Sequence, residues 1–209
     1  MKRVDFRFYL ITDRHQTLGR DLVSLVQLAC RHGVRAVQVR EKDLSARELC
    51  ELVQELQEIC RQHKTKLLVN DRVDVALASH ADGVHLTAHS LPAAVVRTLL
   101  PRGSLVGVST HSLEEARRAE TQDPDFILFG PVFATPSKLK YGPPQGLERL
   151  KQVAEAVRTP VFAVGGVSPA RTRLCLEHGA AGVAAISSVM QAPNPAEILE
   201  QYRLALSHL

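Results

Sequence analysis

Aromatic residues are scarce in this sequence: it contains no tryptophan, and Phe, Tyr and Trp together make up 4% of its 209 residues. Proteins that bind single-stranded nucleic acid commonly stack bases on aromatic side chains, so this scarcity argues against such a surface. The formal net charge is only +4, and lysines and arginines are interspersed with acids over residues 47–61 and 114–120. Such mixing is typical of solvated helix faces. We therefore predict no nucleic-acid partner.

Long apolar runs are also missing, because none approaches the roughly 20 residues that a helix needs to span a bilayer. Residues 1–5 lead directly into a strand-like run, with no apolar signal-peptide core before it. These two absences predict a cytoplasmic protein with no membrane partner. The four cysteines, Cys30, Cys50, Cys60 and Cys175, form no C-x-x-C pair, and we interpret them as reduced core residues.

Short runs rich in Val, Ile, Leu and Phe alternate with amphipathic segments along the whole chain. Such runs are typical of strands that are covered on both faces. The eight predicted strands span residues 7–12, 36–40, 66–70, 83–86, 105–109, 126–129, 161–164 and 182–186. The clearest predicted helix spans residues 45–63, where a capping-box sequence precedes apolar residues at helical spacing. Residues 73–79 leave room for only a short helix.

Each predicted strand is followed by a helical segment, and no linker or low-complexity tract divides the chain. Parallel strands joined by right-handed helical crossovers form either a closed eight-stranded barrel or an open doubly wound sheet. Eight strand–helix units favour the α/β fold of a compact (β/α)8 TIM barrel. We predict that residues 1–209 form this single domain, with the doubly wound sheet as the alternative.

Catalytic side chains of such a barrel gather at the carboxyl ends of its strands, and these ends are strongly polar here. The polar residues at these positions are Gln38, Arg40, Lys42, Asn70, Asp71, His85, Ser109, His111, Thr135, Ser137, Lys138, Ser187 and Ser188. Simpler interpretations stay open for several of them. Arg40 and Lys42 could pair with the neighbouring acids Glu41 and Asp43, and His85 could be a core histidine with satisfied hydrogen bonds.

The segment after the sixth predicted strand, residues 130–138, combines two hydroxyls, Lys138 and several backbone N–H groups before a predicted helix over 147–156. This combination suits an oxyanion, because hydroxyls and amides donate hydrogen bonds while the ammonium group supplies charge. Its glycines and prolines are also compatible with turn chemistry alone. Gly166 and Ser187 follow the seventh and eighth strands, the usual phosphate-binding location of this fold. We predict one anion site formed by these three segments.

A second anion site is predicted on the other side of the same barrel end. Arg40, Lys42 and Asn70 follow the second and third strands, and Asp71 is placed to ligate Mg2+. Two anion sites beside one barrel opening suggest that the protein brings two phosphorylated small molecules together. The sequence leaves a homo-oligomer open.

Nearly the whole chain resembles one family, that of thiamine phosphate synthase and its close relative thiazole tautomerase. The motifs that carry this resemblance lie at residues 9–13, 38–42, 70–74, 81–86, 107–112, 130–146, 163–167 and 185–188. The resemblance implies an eight-stranded α/β barrel. It also implies a reaction in which hydroxymethylpyrimidine diphosphate loses diphosphate and the resulting carbocation is captured by the nitrogen of thiazole phosphate.

The resemblance implies a role for each matching residue. Residues matching positions near the pyrimidine are Gln38, Asn70 and His85. Residues matching positions that hold the diphosphate are Arg40, Lys42, Ser109 and Lys138, and Asp71 matches a Mg2+ ligand. Residues matching the cradle for the thiazole phosphate are Thr135, Ser137, Gly166, Ile186 and Ser187.

One segment departs from the pattern of the family. Its synthases carry Gly-Gln-x-Asp after the fourth strand, whereas this chain has Thr-Ala-His-Ser over residues 87–90. Ser90 therefore stands where a second acidic Mg2+ ligand is expected, and a neutral hydroxyl is a weaker ligand for a hard cation. Relatives of the tautomerase type lack the Mg2+ acids and use a histidine, which His111 matches, as acid and base.

Two functions follow from the resemblance, and a third hypothesis comes from a different class of protein. Retention of Gln38, Asn70, Asp71, His85 and residues 135–138 favours the synthase, with Mg2+ as its cofactor. Ser90 and Ala88 favour a thiazole tautomerase that acts on thiazole carboxylate phosphate through His111. The third is a protein that binds a thiamine precursor without catalysis, which only an assay of turnover distinguishes from the two enzymes.

Overall fold

The computed structural model describes residues 4–135 and 143–207. Eight parallel strands within these residues close into a barrel in sequence order, and β8 pairs with β1. The strands are β1 (Phe8–Ile11), β2 (Ala36–Val39), β3 (Lys66–Asn70), β4 (Gly83–Leu86), β5 (Leu105–Thr110), β6 (Phe126–Phe129), β7 (Val161–Ala163) and β8 (Gly182–Ala185). The prediction of a (β/α)8 barrel is confirmed, and the doubly wound alternative is wrong.

Helices connect the strands on the outside of the barrel, and a short 3-10 helix, Arg14–Gln16, follows β1. The α-helices are α1 (Leu22–Arg31), α2 (Ala46–Gln62), α3 (Val73–Ala78), α4 (Ala93–Leu99), α5 (Leu113–Glu120), α6 (Gly146–Ala156), α7 (Pro169–Glu177), α8 (Ser187–Met190) and α9 (Pro195–Ser207). In the part of the chain that the structure describes, no helix is both long and apolar enough to cross a membrane.

The starts of the helices follow from local hydrogen bonding. Ser45 caps α2 through a complete capping box, in which its hydroxyl accepts from the Glu48 N–H while the Glu48 carboxylate accepts from the Ser45 N–H. At α5 the Ser112 hydroxyl accepts from the Glu115 N–H, but the Glu115 carboxylate binds the His111 N–H instead of completing the box. This shift of one residue ties the backbone of His111, which follows β5, to the first turn of α5.

The barrel has an aromatic floor near the amino-terminal ends of the strands. Phe6 precedes β1, and its ring lies 5.4–5.8 Å, between centroids, from the rings of Tyr9, Phe126 and Phe162. These rings are buried, and side chains of a strand alternate between the two faces of the sheet. The next inward positions along the strands therefore point into the barrel above this floor. A second, larger core fills the layer between strands and helices.

The cysteines are all free thiols, in agreement with the interpretation as reduced residues. Cys30, Cys60 and Cys175 are buried, whereas Cys50 is half-buried on α2. Although separated in sequence, Cys30 and Cys60 approach each other where α1 packs on α2, with 3.9 Å between their Sγ atoms. They therefore contribute to the outer core as a thiol pair rather than as isolated residues.

Candidate active site

A polar layer lies inside the barrel directly above the aromatic floor. Gln38 on β2 and His85 on β4 are each 1% exposed, and Asn70 ends β3 as the register partner of His85. The Gln38 Nε2 donates a hydrogen bond to the Tyr9 hydroxyl over 3.2 Å. The structure thus places on neighbouring strands the three residues that the resemblance assigned to positions near the pyrimidine. Their amide and imidazole groups are uncharged donors and acceptors, which suits a neutral polar ring.

His85 is a neutral imidazole at ordinary pH. Its burial, with a smaller contribution from the nearby charge of Arg40, lowers its pKa to about 3. Nε2 lies 2.9 Å from the Ser109 Oγ, and Nδ1 has no hydrogen-bond partner among the described residues. Gly107 leaves the space for this ring, since a Cβ there would lie 2.6 Å from Nδ1.

The tautomer of His85 follows from these contacts. A buried N–H without a partner is rarer than a buried acceptor without one, so the proton belongs on Nε2, where it is donated to Ser109. The Ser109 oxygen then accepts a hydrogen bond from His85, so the hydroxyl proton of Ser109 can be donated to another acceptor. Ser109 is half-buried at the end of β5, facing the open end of the barrel.

A buried carboxylate fixes the segment that carries Arg40. Glu41 is 4% exposed, and its carboxylate accepts from the Thr12 hydroxyl over 2.6 Å and from the Arg14 N–H over 3.0 Å. The same Thr12 oxygen accepts from the Arg40 N–H over 3.0 Å. Asp43 pairs with the Arg14 guanidinium at 2.6 Å. Glu41 and Asp43 are therefore engaged elsewhere, and no described carboxylate pairs with the side chain of Arg40.

Lys42 lies exposed between Glu41 and Asp43, on the same segment as Arg40. Among the described residues, Glu41 and Asp43 pair with Arg14 and His15, and no ion pair joins either of them to Arg40. The role of Glu41 is not visible in the local sequence, because its partners Thr12 and Arg14 lie about 30 residues earlier in the chain. The arrangement leaves the charge of the Arg40 guanidinium available to an anion at the end of β2.

Asp71 and Ser90 are in direct contact at the ends of β3 and β4. The Ser90 hydroxyl donates to the Asp71 carboxylate and accepts from the Thr87 N–H over 2.8 Å. Asp71 has φ +65°, a left-handed conformation, and its N–H donates to the His85 carbonyl over 2.9 Å. The residue at the position of the expected second acid thus holds the first acid in place. Among the described residues, no cluster of three or more His, Cys, Asp or Glu could hold a metal.

The segments after β6 and β7 are packed together by their backbones. The Phe133 N–H donates to the Gly165 carbonyl over 3.0 Å, and a Cβ on Gly166 would lie 2.8 Å from the Ala134 carbonyl oxygen. Gly166 has φ +65°, so this close approach needs glycine. The Arg171 guanidinium lies over the Phe133 ring at 4.7 Å and donates to the Gly166 carbonyl. Gly166 therefore allows the segments after β6 and β7 to pack closely against each other.

Thr135 is half-buried at the end of this described segment, and Ile186 and Ser187 follow β8, with Ser187 exposed. Because the carboxyl ends of all eight strands meet at one end of the barrel, these residues share that end with the polar layer. We call this end the mouth. Ser137 and Lys138 lie outside the described residues. A cavity of about 310 Å3 lies between α4 and α5, lined among others by Ala93, Val108 and Ala119, and it reaches the mouth at Ser90 and Ser109.

His111 lies exposed at the mouth with a fixed tautomer. Its Nδ1 is 2.5 Å from the Gly130 carbonyl oxygen, which can only accept, so Nδ1 carries the proton. In this tautomer the lone pair lies on Nε2. A histidine in this state is equipped to accept a proton from a ligand.

Fold and mouth together define a (β/α)8 barrel of the type in which enzymes place catalytic groups at the strand ends. Comparison with known proteins gives a more specific result. The sequence model of the family described as thiamine monophosphate synthase matches residues 8–189. The chain belongs to this family.

Individual relatives cover nearly the whole chain. A protein from Geobacter sulfurreducens is 51% identical over 197 residues, which make up 94% of this chain and 92% of that one. The thiamine-phosphate synthase of Caldanaerobacter subterraneus subsp. tengcongensis is 40% identical over 209 residues, with 98% of this chain and 97% of the relative covered. The solved structure of thiamine phosphate pyrophosphorylase from Pyrococcus furiosus matches with a TM-score of 0.89 at 36% identity, covering 98% and 96% of the two chains.

Proposed function

We propose that the protein is a thiamine-phosphate synthase, a transferase that couples hydroxymethylpyrimidine diphosphate to thiazole phosphate and releases diphosphate. Membership of the family and the names of its relatives support an enzyme of this kind. The observation that carries the proposal is that an uncharged polar surface and a positively charged one lie side by side at the mouth. The buried, uncharged layer of Gln38, Asn70 and His85 lies beside Arg40, whose guanidinium no described carboxylate neutralises.

The first chemical step is departure of the leaving group. The bond between the pyrimidine methylene carbon and the diphosphate oxygen breaks, and its electron pair leaves with the diphosphate. Arg40, Lys42 and Lys138 stabilise this growing negative charge, and the Ser109 hydroxyl, with His85 donating to its oxygen, directs its proton at the leaving group. Gln38 and Asn70 orient the pyrimidine ring by hydrogen bonds.

The second step forms the new bond between carbon and nitrogen. The thiazole nitrogen supplies an electron pair to the methylene carbon, so no protein nucleophile is needed. We assign Thr135, Ser137, Gly166, Ile186 and Ser187 to holding the thiazole phosphate. Their work is positioning, which removes the entropic cost of bringing two substrates together.

Mg2+ fits the residues at the ends of β3 and β4. Mg2+ commonly uses one or two carboxylates together with substrate phosphates, and Asp71 provides one carboxylate beside the Ser90 hydroxyl. We therefore assign Asp71 as the protein ligand. When bound, Mg2+ neutralises charge on the diphosphate and so makes it a better leaving group. Ser90 orients Asp71 but adds no charge, so we expect weaker Mg2+ binding than with two acids.

The test is to incubate the protein with both substrates and Mg2+ and to follow thiamine phosphate and diphosphate separately. The two products should appear in equal amounts and only when both substrates are present. A parallel reaction with a chelator measures the requirement for metal. Release of diphosphate without thiamine phosphate would contradict the coupling reaction.

A second candidate function rests on His111. Its fixed tautomer presents a basic Nε2 at the mouth, the arrangement that a thiazole tautomerase needs to move a proton on thiazole carboxylate phosphate. Under this alternative, His111→Ala should slow isomerisation by about 10²–10⁴-fold, the usual size of general acid–base catalysis. NMR of the thiazole carboxylate phosphate measures that rate. An unchanged rate excludes His111 as the acid and base. If the protein neither forms thiamine phosphate nor isomerises thiazole carboxylate phosphate, the remaining function is that of a binding protein.

A further inference from the structure

Tyr202 lies on α9, remote in sequence from the strand ends, yet its hydroxyl contacts two segments of the mouth. Its Oη lies 3.0 Å from the Val167 carbonyl oxygen, after β7, and 2.7 Å from the Ser188 Oγ, on α8 directly after β8. The side chain is 1% exposed, and its ring packs on Phe8 with 4.5 Å between centroids. The packing of the ring on Phe8 thus positions the hydroxyl, which contacts the segments after β7 and β8 at the same time.

The hydrogen bonds around this hydroxyl have a definite direction. A carbonyl oxygen can only accept, so the Tyr202 O–H donates to Val167 and the Ser188 hydroxyl donates to the Tyr202 oxygen. Burial raises the pKa of Tyr202, and the phenol therefore keeps its proton and remains a donor. Removing the oxygen would leave a buried carbonyl and the Ser188 hydroxyl without this partner.

The two segments that Tyr202 joins need such support. Gly166 precedes Val167 and has the left-handed φ of +65°. Ser187 precedes Ser188 in α8, a helix of four residues whose N-cap, Ile186, makes no side-chain capping bond. A single turn of helix has little stability of its own and depends on packing. The Tyr202 hydroxyl ties this turn to the segment after β7 from the side opposite the mouth.

We propose that Tyr202 is a positioning residue that fixes the distance between Gly166 and Ser187 and so shapes the site for a phosphate group. The identification of that phosphate as part of thiazole phosphate rests on the proposed function. Tyr202 acts through Val167 and Ser188 and touches no substrate. Its hydroxyl should therefore affect the binding of thiazole phosphate and leave the binding and reaction of hydroxymethylpyrimidine diphosphate unchanged.

Tyr202→Phe removes only the hydroxyl and tests this role. We expect the KM for thiazole phosphate to rise about tenfold, the effect of losing roughly one buried hydrogen bond. The kcat and the KM for hydroxymethylpyrimidine diphosphate should stay within about twofold of wild type, less than the effect of one such bond. Ser188→Ala breaks only one of the two contacts and should raise the same KM by a smaller factor. Adding Tyr202→Phe to Ser188→Ala should then raise it less than in the wild-type background.

Thr65→Val provides the matched control. The Thr65 hydroxyl is buried and donates to the Val34 carbonyl over 2.7 Å, at the amino-terminal end of β3 and away from the mouth. Its loss should lower the midpoint of thermal unfolding to an extent similar to Tyr202→Phe without changing the KM for thiazole phosphate. If Tyr202→Phe and Thr65→Val both lose stability and neither changes that KM, Tyr202 is merely structural and the inference is overturned.

Calorimetric titration with thiazole phosphate separates this inference from the proposed function. The dissociation constant should rise about tenfold in Tyr202→Phe even if the wild type makes no thiamine phosphate, because binding needs no turnover. A wild type that binds thiazole phosphate but forms no product contradicts the proposed function and leaves this comparison intact. A wild type that binds no thiazole phosphate overturns both.

Discussion

Lowering the pH from 7 to 5 should cost the protein about 2 kcal/mol of unfolding free energy through His85 alone. Burial lowers the pKa of His85 to about 3 in the folded state, whereas a histidine in an unfolded chain titrates near ~6.5. Between these two pKa values the unfolded state binds more protons, so this contribution is present above the unfolded pKa and is lost as the pH falls.

The magnitude depends mainly on the unfolded state. At pH 5 the imidazole of the unfolded chain is almost fully protonated, while the folded ring, with its pKa about 3, is still neutral. The pH has then moved about 1.5 units below the unfolded pKa, and each unit is worth about 1.4 kcal/mol. The buried position of His85, 1% exposed, means that solvent screening does not reduce this figure.

Urea unfolding at pH 7 and pH 5, with wild type and His85→Gln compared, measures this contribution. Glutamine is uncharged at both pH values, and the remaining histidines are common to both proteins, so their titration cancels in the difference. The wild type should lose about 2 kcal/mol more than the variant between the two pH values. Equal losses would show that His85 is not buried as a neutral ring, and the assignment of its tautomer would fall with it.

Three further predictions concern the mouth. Arg40→Ala and Lys138→Ala should each lower kcat by about 10²–10³-fold, because electrostatic stabilisation of the leaving group is lost. The unfolding midpoint of Arg40→Ala should change little. Near-wild-type turnover in both variants would refute their role. Ser90→Asp should lower the Mg2+ concentration for half-maximal activity by adding a carboxylate beside Asp71, and an unchanged Mg2+ titration contradicts that metal assignment. Gly166→Ala should weaken thiazole phosphate binding because its Cβ meets the neighbouring segment, and calorimetric titration showing wild-type affinity would contradict this.

Local signals in the sequence were sufficient for the architecture. The predicted strands over residues 66–70, 83–86 and 126–129 coincide with β3, β4 and β6, because short apolar runs between turn residues have few other uses in an α/β protein. The predicted helix over 45–63 differs from α2 only by its capping residues, since the capping box fixes its start. The predicted strand bounds also locate the carboxyl ends of the strands, where most residues of the candidate site lie.

Contacts between distant segments could not be predicted in this way. Glu41 stands next to two cations in sequence, but Thr12 and Arg14, in the segment that follows the neighbouring strand β1, bind its carboxylate. Tyr202 meets Val167 and Ser188 only because α9 packs back on α7 and α8. These partners depend on which elements become neighbours in the barrel, and that information is spread over the whole chain.

Formation of thiamine phosphate by the wild-type protein is the decisive measurement for the synthase. With hydroxymethylpyrimidine diphosphate, thiazole phosphate and saturating Mg2+, we expect equal amounts of thiamine phosphate and diphosphate, and we expect Arg40→Ala to lose product formation. The contradicting result is rapid isomerisation of thiazole carboxylate phosphate with no thiamine phosphate formed at any Mg2+ concentration. That outcome would contradict the synthase and make Ser90, in place of the second acid, the mark of a tautomerase.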